Sequence, residues 1–547
     1  MATRLLPSVE VQQPLRLALL LPGSTLPAWA ARSVDRLLAL EYVHIACIVM
    51  APPAAEGSDG RGLAARYLAW DGRRYRKARS ALVACDMTAP LQGIEQLAYS
   101  KEVVAALAAR DLDAVIDFGA AADMASMAAC ARSGLWWHGV GTTPRRLSRA
   151  GLWQPVFAGS PVTHTGLYAI SAPDSALQCL AQTVASTQLL SVETNNAQAL
   201  WKFADMAANA LFRLASGRLH SGTLEGTAAR ALRPASGPGT LDLLGFLPRL
   251  AWRRLRASLH RRRDVEHWVI ACRADGERLD PAAPHFRGAR VLDAPAGHFW
   301  ADPGMVEHAG RTWLFCEDFD YARDLGSIAC MPLDGDGRAG DARIVLSLDS
   351  HLSYPQVFEH NGDMLMLPEN GQGMALTLYR ADPFPWSWTP VATLLEGFNF
   401  TDATLWQQDG HWYIFANLSA SGGSVHDELY LFHADDLLAD WQPHPCNPIV
   451  SDVRRARPAG PLFRRHGTLW RPAQDCAINY GRAVVFNEVQ ELTPDSYRER
   501  PAGRLDGSWR AGLHGCHTYA ATAALEVIDG KYWARQSAVA AAGEPGS

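Results

Sequence analysis

Two aspartates occupy equivalent places in a pattern that repeats along the second half of the chain. Asp302 stands in ADPGMVEHAGRTWLF and Asp402 in TDATLWQQDGHWYIF, each eight residues before a glycine that ends a polar turn. Two carboxyl groups that share a partly dehydrated pocket acquire shifted pKa values, which general acid–base catalysis requires. The alternative is that each aspartate caps its own turn. The spacing therefore predicts an acid–base site if the fold brings the two side chains together.

The repeat itself indicates such a fold. A polar turn ending in glycine, followed by an aromatic-rich run that alternates like a β-strand, occurs five times, with successive glycines 52, 48, 57 and 63 residues apart. A unit of this length with several short strands is typical of one blade of a β-propeller. We therefore predict an all-β five-bladed propeller over residues 265–537. The glycines are Gly310, Gly362, Gly410, Gly467 and Gly530, and the residues eight positions earlier, expected to converge on the axis, are Asp302, Tyr354, Asp402, Ala459 and Thr522.

The blade-start motifs carry a family resemblance. ADPG, SYPQVF, FTDATLW and AGPLF, which lie between His267 and Trp533, resemble those of the family 43 glycoside hydrolases and their five-bladed furanosidase relatives. The resemblance implies that Asp302 is a general base and that Asp402 tunes pKa values and orientation in the site. It also implies a carbohydrate substrate.

The fourth blade departs from that family. The family has its general acid, a glutamate, where this sequence has Ala459 in ARPAGPLF. Cleavage of a glycosidic bond expels an alkoxide that needs a proton, whereas a sugar nucleotide expels a phosphate that is already a good leaving group. The departure favours a transferase that uses a sugar nucleotide as donor substrate, with Arg457 and Arg471 binding its phosphates.

A second resemblance covers more of the same region. HPCNPIVSDVRRARPAGPLFRRHGTLWRPAQDCAINYGRAV, SYPQVFEHNGDMLMLPEN and GCHTYAA resemble the propeller domain N-terminal to the catalytic domain in plant glucosamine inositolphosphorylceramide transferases, which also occurs in many bacterial proteins. This resemblance implies work on a glycan or glycolipid. Glu317 and Glu369 each follow an apolar strand, so either can replace the missing acid. Further polar residues expected beside the inner strands are Asp475, Tyr480 and His517.

The first part of the chain alternates strands with helices. LRLALLLPG, YVHIACIVM and DAVIDFG are apolar strand patterns, which predicts a doubly wound α/β domain with a parallel sheet over residues 14–216. With ARSGLWWHGVGTTPRRL, THTGLYAI and VETNNAQAL they resemble the formyltransferase fold. Formyl transfer uses an asparagine two residues before a histidine, but Trp136 precedes His138 at that spacing. We therefore expect His138 and Asp117 to serve the core or binding instead.

Between the two domains, residues 217–264 form a predicted linker, and residues 1–13 and 538–547 form predicted flexible tails. The linker contains LDLLGFLPRLAWRRLRASLHRRRD, which predicts a basic amphipathic helix over residues 241–264. Such a helix can lie on an anionic membrane surface or pack between two domains, and the sequence favours neither decisively.

Composition limits the classes of partner. The net charge of −5 predicts no nucleic-acid partner. The sequence has no dense cluster of histidines and carboxylates, so we predict no metal site. Ten scattered cysteines and no apparent export signal predict a cytoplasmic protein, at most at the inner face of the membrane. Three functions remain: a glycosyltransferase acting on a polysaccharide or glycolipid acceptor, a furanosidase-like hydrolase, and a non-catalytic glycan-binding scaffold.

Overall fold

The computed structural model divides into two compact units. It describes residues 3–54, 62–78, 80–142, 144–147, 152–172, 175–219, 222–224, 231–232, 235–274 and 278–535. The N-terminal unit comprises Ser8–Arg254 with Ala420–Gly423. The propeller unit comprises Met1–Pro7, Leu255–Ser419 and Ser424–Ser547. Within the described ranges, no helix is long and apolar enough to cross a bilayer.

The N-terminal unit contains eleven described strands, seven complete described α-helices and the first part of an eighth, which continues into the propeller unit. The strands are β1 (Leu15–Leu21), β2 (Thr25–Pro27), β3 (Val43–Met50), β4 (Ala84–Asp86), β5 (Gln96–Ala98), β6 (Ala114–Asp117), β7 (Leu135–Val140), β8 (Arg145–Arg146), β9 (Val162–Ile170), β10 (Leu177–Ser186) and β11 (Gly222–Leu224). The helices are α1 (Ala28–Leu38), α2 (Leu63–Arg74), α3 (Lys101–Ala108), α4 (Met124–Ala128), α5 (Trp153–Ala158), α6 (Val192–Trp201), α7 (Phe203–Ala215) and α8 (Thr240–Arg263).

The main sheet of this unit is mixed, with strand order β11-β10-β9-β7-β6-β1-β3-β5. The five strands from β7 to β5 are parallel, as predicted. The prediction is wrong for β9 and β10, which pair antiparallel, as does β11 in the predicted linker. For β9 and β10 the physical reason is their short connection, because a parallel pair needs a long crossover.

Sequence chemistry explains why these elements form where they do. From Leu17 to Leu21, β1 is an unbroken apolar run that is fully buried, as expected for a parallel strand covered on both faces. Helix α3 begins after Ser100, whose hydroxyl accepts a hydrogen bond from Val103 N at 3.3 Å. Helix α6 begins in the same way after Ser191, whose hydroxyl accepts from Thr194 N at 3.1 Å.

The propeller unit consists of five four-stranded antiparallel sheets, which confirms the predicted architecture. Blade I is β14 (His298–His308), β15 (Arg311–Asp320), β16 (Leu325–Leu333) and β17 (Arg343–Leu346). Blade II is β18 (Leu352–His360), β19 (Asp363–Asn370), β20 (Ala375–Ala381) and β21 (Trp388–Glu396). Blade III is β22 (Thr401–Gln408), β23 (His411–Asn417), β24 (Leu429–Ala434) and β25 (Gln442–Pro443). Blade IV is β26 (Phe463–Arg465), β27 (Thr468–Asp475), β28 (Ala483–Leu492) and β29 (Tyr497–Asp506).

Blade V closes the ring with strands from both ends of the propeller sequence. It contains β12 (Asp264–Arg273) and β13 (Arg290–Leu292) together with β30 (Tyr519–Ala521) and β31 (Glu526–Arg535). β12 pairs with β31 in an unbroken antiparallel register from Asp264↔Arg535 to Arg273↔Glu526. Ten residue pairs therefore close the propeller between the two ends of its chain.

Four of the five predicted turn glycines lie in hairpin turns. Gly310, Gly362, Gly410 and Gly467 have φ between 72° and 84°, a conformation that glycine adopts at low cost. Gly530 was predicted as the fifth and is not a turn residue. It lies inside β31, where it pairs with Val269, because the last blade borrows β12 from the start of the domain.

Replacing Gly410 by alanine is expected to lower the free energy of unfolding by about 1 to 2 kcal/mol, because an L-residue is strained at φ 82°. The added methyl group would meet no atom within 4 Å, so the cost is conformational alone. Gly245 in α8 is equally unobstructed but helical, so Gly245→Ala should be neutral or stabilising by up to about 1 kcal/mol. Denaturant unfolding of both variants tests this, and equal effects would contradict it.

Candidate functional site

The inner strands of blades I, II and III are interrupted at one equivalent point. Asp302, Tyr354 and Asp402 have left-handed φ values of 51°, 47° and 48°, and each lies at a shift in register with the second strand of its blade. Such a conformation is costly for a residue other than glycine and is concentrated at functional sites. The three residues predicted to be equivalent are therefore equivalent in backbone conformation.

The equivalents proposed for blades IV and V need correction. In blade IV the left-handed residue is Gly460, with φ 111°, not Ala459. A Cβ atom on Gly460 would lie 1.9 Å from the carbonyl oxygen of Tyr519, so only glycine fits. Ala459 is fully buried in an apolar cluster with Trp470 and Tyr519. Thr522 lies beyond the end of β30. It was predicted by counting from Gly530, which is not a turn residue, so the count does not apply to blade V.

One half of the site, the base subsite, consists of Asp302, His517, Thr518 and Asp529. Thr518 Oγ1 donates to Asp302 Oδ1 at 2.6 Å, and His517 Nε2 lies 3.3 Å from the same oxygen. His517 Nδ1 forms a very short contact with Asp529 Oδ2. Asp529 Oδ1 also accepts from the backbone amides of His517 and Thr518, at 2.7 and 3.0 Å. The imidazole is therefore held between two carboxyl groups in a fixed orientation.

In the base subsite the pKa values of Asp302 and His517 are both raised. Burial raises the pKa of Asp302 to about 6, with further upward contributions from Asp402 and Asp529, although His517 opposes the shift. Burial alone would lower the pKa of His517, but Asp529 and Asp302 outweigh it and raise that pKa. A charged His517 beside Asp302 therefore suits a carboxyl group that exchanges a proton near neutral pH.

The other half, the ion-pair subsite, consists of Asp402, Arg457, Gln474 and Glu369. Arg457 binds Asp402 through Nε to Oδ2 at 2.5 Å and Nη2 to Oδ1 at 3.1 Å. Gln474 Nε2 donates to Asp402 Oδ2 at 2.6 Å, and Asp402 N donates to Glu369 Oε2 at 2.7 Å. Burial would raise the pKa of Asp402, but Arg457 outweighs it and lowers that pKa. Asp402 is thus held ionised.

Unlike Asp402, two neighbouring glutamates, Glu369 of the ion-pair subsite and Glu317, have raised pKa values. Burial raises the pKa of Glu369 well above its usual range, and the nearby Asp402 raises it further. Burial, Asp302 and Glu369 likewise raise the pKa of Glu317. Glu369 is the penultimate residue of β19, whereas Glu317 lies inside β15 rather than after it. Both are suited to hold a proton.

Replacing Glu317 by glutamine is expected to flatten the pH dependence of stability. A raised pKa means that the folded state binds the proton more tightly, so this contribution is complete below the ordinary value of 4.5 and is lost as pH rises. Glutamine resembles the protonated acid at every pH. Unfolding free energies measured from pH 5 to 8 should therefore fall less steeply in Glu317→Gln than in the wild type. Glu359→Gln, with its side chain 60% exposed, is the control and should leave the slope unchanged.

Tyrosines join the two subsites. The Tyr480 ring lies 4.8 Å from the guanidinium of Arg457 and 5.1 Å from the imidazole of His517. Tyr354 Oη lies 2.8 Å from Thr404 Oγ1 and accepts from Gly460 N at 2.6 Å, linking blades II, III and IV. These residues and the two subsites, with Glu317, form the axial cluster.

A small cavity of about 10 Å³ adjoins this cluster. It is lined by Asp302, Tyr354, Gly460, Thr518 and the prolines that follow the first three of these. This volume is at the lower limit for one water molecule by the same measure. Asp302, His517 and Asp529 also offer three ligand atoms within 4.8 Å of one another, the one group of this kind found among the described residues.

Two predicted substrate-binding residues lie outside the axial cluster. Arg471 is fully buried, where its Nε and Nη2 bind Glu499 at 2.7 and 2.8 Å and Nη2 also donates to the carbonyl of Arg455. Asp475 accepts from Ala477 N at 3.0 Å and pairs with Arg504 at 3.2 Å. Both side chains hold blade IV together.

Several residues of the site were missed by the sequence analysis. Asp529, Thr518 and Gln474 supply hydrogen bonds to the axial aspartates, and Trp268 stacks on His517 with the ring centroids 3.9 Å apart. Asp529 precedes Gly530 in VIDGKYW, where a carboxylate inside an apolar strand was an available signal.

The predicted residues of the N-terminal unit lie in its core. Asp117 forms a bidentate ion pair with Arg146, both bonds being 2.7 Å. His138 is packed among Trp29, Phe118 and Phe203, and burial lowers its pKa to about 4. A cavity of about 370 Å³ in this unit is lined by other residues, among them Arg145, Trp153 and His164. The expectation of a core role for His138 agrees with this packing.

The propeller is similar in sequence to a domain of known proteins. Residues 271–505 match the family model "Glucosamine inositolphosphorylceramide transferase 1, N-terminal". The propeller resembles this N-terminal domain. Glucosamine inositolphosphorylceramide transferase 1 of Oryza sativa subsp. japonica is 34% identical to this chain over 208 residues, which cover 37% of this chain and 28% of the relative. That of Arabidopsis thaliana is 32% identical over 206 residues, covering 37% and 27%. The chain thus spans less than a third of these relatives.

Among solved structures, the catalytic domain of an α-L-arabinofuranosidase from Coprinopsis cinerea aligns with 48% of this chain and 97% of its own length, at 12% identity and a TM-score of 0.32.

Proposed function

We propose that the protein is a glycosyltransferase that moves a sugar from an activated donor to a polysaccharide or glycolipid acceptor, with the axial cluster as its catalytic centre. The similarity to glucosamine inositolphosphorylceramide transferases supports the transferase class and a glycolipid acceptor. The observation that carries the proposal is the contact of His517 with the carboxyl groups of both Asp302 and Asp529, which positions Asp302 as a base with a pKa of about 6.

In the proposed reaction, Asp302 accepts the proton of an acceptor hydroxyl group. The acceptor oxygen forms a bond to the anomeric carbon of the donor while the bond from that carbon to the leaving phosphate breaks, and the phosphate keeps the bonding electron pair. His517 and Asp529 orient Asp302. Ionised Asp402, fixed by Arg457, stabilises positive charge that develops on the sugar.

Both arginines that were predicted to bind donor phosphates form buried ion pairs in the folded protein. Arg457 is paired with Asp402 and Arg471 with Glu499, so neither is uncommitted. Arg457 Nη1 still lies at 3.0 Å from His426 Nδ1, on the side of the pair away from Asp402. We propose that Arg457 Nη1 and a neutral Glu369 together contact the leaving phosphate of the donor.

A second candidate function is glycoside hydrolysis, and neutral Glu369 beside ionised Asp402 is the observation that favours it. A raised pKa lets a glutamate donate the proton that an alkoxide leaving group needs. In this case Glu369 would be the general acid that blade IV lacks, and Asp302 would be the general base that activates water.

A screen of sugar nucleotides for thermal stabilisation of the protein, followed by product analysis with and without a glycolipid acceptor, separates the candidates. Acceptor-dependent transfer from a stabilising donor supports the proposal. Release of a chromogenic arabinofuranoside or xyloside without any response to sugar nucleotides would replace it with hydrolysis. Sugar binding without turnover, unchanged in Asp302→Ala, would leave a binding scaffold.

Glu369→Gln provides a sharper test of leaving-group chemistry. If Glu369 protonates the leaving group, its loss should lower turnover of alkyl glycosides by roughly 10²-fold and that of activated aryl glycosides much less. The measurement is the ratio of kcat values for the two substrate types in variant and wild type. An equal loss on both types would show that Glu369 acts on Asp402 instead, through the bond from Asp402 N.

For the N-terminal unit we propose a formyltransferase-like fold without formyl transfer, because His138 is packed in an aromatic core. Formyl transfer from a folate donor by the purified chain would contradict this. We also propose a cytoplasmic location, which the ten free cysteines support.

A further inference from the structure

Helix α8 has two apolar faces, and one of them anchors it. Leu243, Phe246 and Leu250 are buried in a cluster that includes Val156 and Phe157 of the N-terminal unit. The Phe246 and Phe157 rings stack with centroids 4.0 Å apart. Arg253 and Arg254 lie on the same side, donating to the carbonyls of Val156 and Leu190 at 3.1 Å each. This face fixes the rotation of the helix.

The opposite face is apolar as well and is open to solvent. Its members recur at spacings of three or four residues, which places them in one stripe along the helix. Their exposed fractions are 84% for Leu241, 57% for Leu244, 65% for Trp252, 52% for Leu255 and 47% for Leu259. Pro248 continues the stripe and is also exposed. Soluble proteins rarely leave such a contiguous apolar surface without a partner.

Basic residues follow one edge of this stripe. Arg249, Arg256 and Arg263 are exposed and recur every seven residues, so they lie along the same side of the helix. The helix has seven arginines and a single acidic residue, Asp242, in its first turn. An apolar stripe with a tryptophan and flanking arginines is the composition of a helix that lies in the headgroup region of an anionic bilayer.

We propose that the exposed face of α8 binds the surface of an anionic lipid membrane, with Trp252 and the leucines entering the interface and the arginines meeting lipid phosphates. The helix lies flat, because the opposite face is buried in protein. A second copy of this chain is the less suitable occupant, since an antiparallel symmetric contact would bring the arginines of both copies together. The proposal does not depend on the chemistry of the axial cluster.

Flotation of the full chain with vesicles tests the proposal. We expect binding to vesicles of phosphatidylcholine and phosphatidylglycerol and at least about tenfold weaker binding to phosphatidylcholine alone. The double variant Trp252→Ser, Leu255→Ser should bind anionic vesicles at least about tenfold more weakly, because it removes exposed apolar side chains and leaves the buried face intact. Arg249→Glu with Arg256→Glu should weaken binding similarly, and more salt should weaken the wild type.

The matched control is Ile344→Ser with Val391→Ser, two exposed apolar residues on the propeller that should not affect binding. Circular dichroism checks that each variant is folded. Absence of wild-type binding to anionic vesicles would overturn the proposal. So would a dimer in light scattering that the Trp252 variant converts to a monomer, because the stripe would then bind a second copy.

Discussion

Asp302→Asn is expected to lower kcat for sugar transfer by roughly 10³-fold, because it removes the proposed base and keeps its shape. The asparagine oxygen can still accept the hydrogen bond from Thr518, so the fold around it should persist. The pH profile provides a second readout. Wild-type activity should rise with pH up to about 6 as Asp302 loses its proton, and this limb should be absent from the residual activity of the variant.

Asp475→Asn is the matched control for Asp302→Asn. Asp475 is also a buried propeller carboxylate, but its partners are Arg504 and the amide of Ala477 rather than the axial cluster. We expect its kcat to stay within about threefold of wild type and its pH limb to persist. Full transfer activity of Asp302→Asn with every donor that the wild type uses would exclude Asp302 as the base.

The propeller could be predicted because each blade repeats a local signal. A left-handed glycine turn joins the first two strands of blades I to IV, and glycine at such turns is a requirement of local backbone geometry. Blade V does not repeat this signal, since its strands come from both ends of the domain and its central pair, β12 with β31, is non-local. The turn assigned to Gly530 failed for that reason, and Thr522 failed with it.

The site was predictable to the extent that it follows the repeat. Asp302, Tyr354 and Asp402 share one offset and one backbone conformation, so counting found them. Arg471 shows the limit of such reasoning. Its partner Glu499 lies in the outer strand of blade IV, and no local pattern indicates that this carboxylate occupies its guanidinium. Asp529 was overlooked for the converse reason, because its neighbours in the fold are Asp302 and His517, not residues near it in β31.

The antiparallel half of the N-terminal sheet is a similar case. THTGLYAI forms most of β9, and such an apolar strand pattern does not show whether the strand will pair parallel or antiparallel. Direction follows from how the chain reaches the strand, and the connections around β9 are less regular than the strand–helix alternation before them. The same limit applies to α8, whose sequence contains both apolar faces while only the fold shows which one is buried.

Arg457→Met is expected to lower the free energy of unfolding of the propeller by about 3 to 5 kcal/mol, because it leaves Asp402 buried and ionised without its cation. Asp402 is fully buried, and the hydrogen bonds that it receives from Gln474 and Glu369 would not replace the positive charge. Arg454→Met is the control. Arg454 forms an equally good bidentate pair with Asp452, but its side chain is 50% exposed, so its loss should cost no more than about 1 kcal/mol.

The reason for this instability can be tested by removing the charge as well. In Asp402→Asn with Arg457→Met, no buried carboxylate is left unpaired, so the double variant should be more stable than Arg457→Met alone by about 2 kcal/mol. Denaturant unfolding of the four proteins in this cycle measures that coupling. A double variant no more stable than the single one would mean that Arg457 supports the propeller through packing on Tyr480 instead, where its guanidinium lies 4.8 Å from the ring centroid. The ion pair would then not be what keeps Asp402 ionised at the axis.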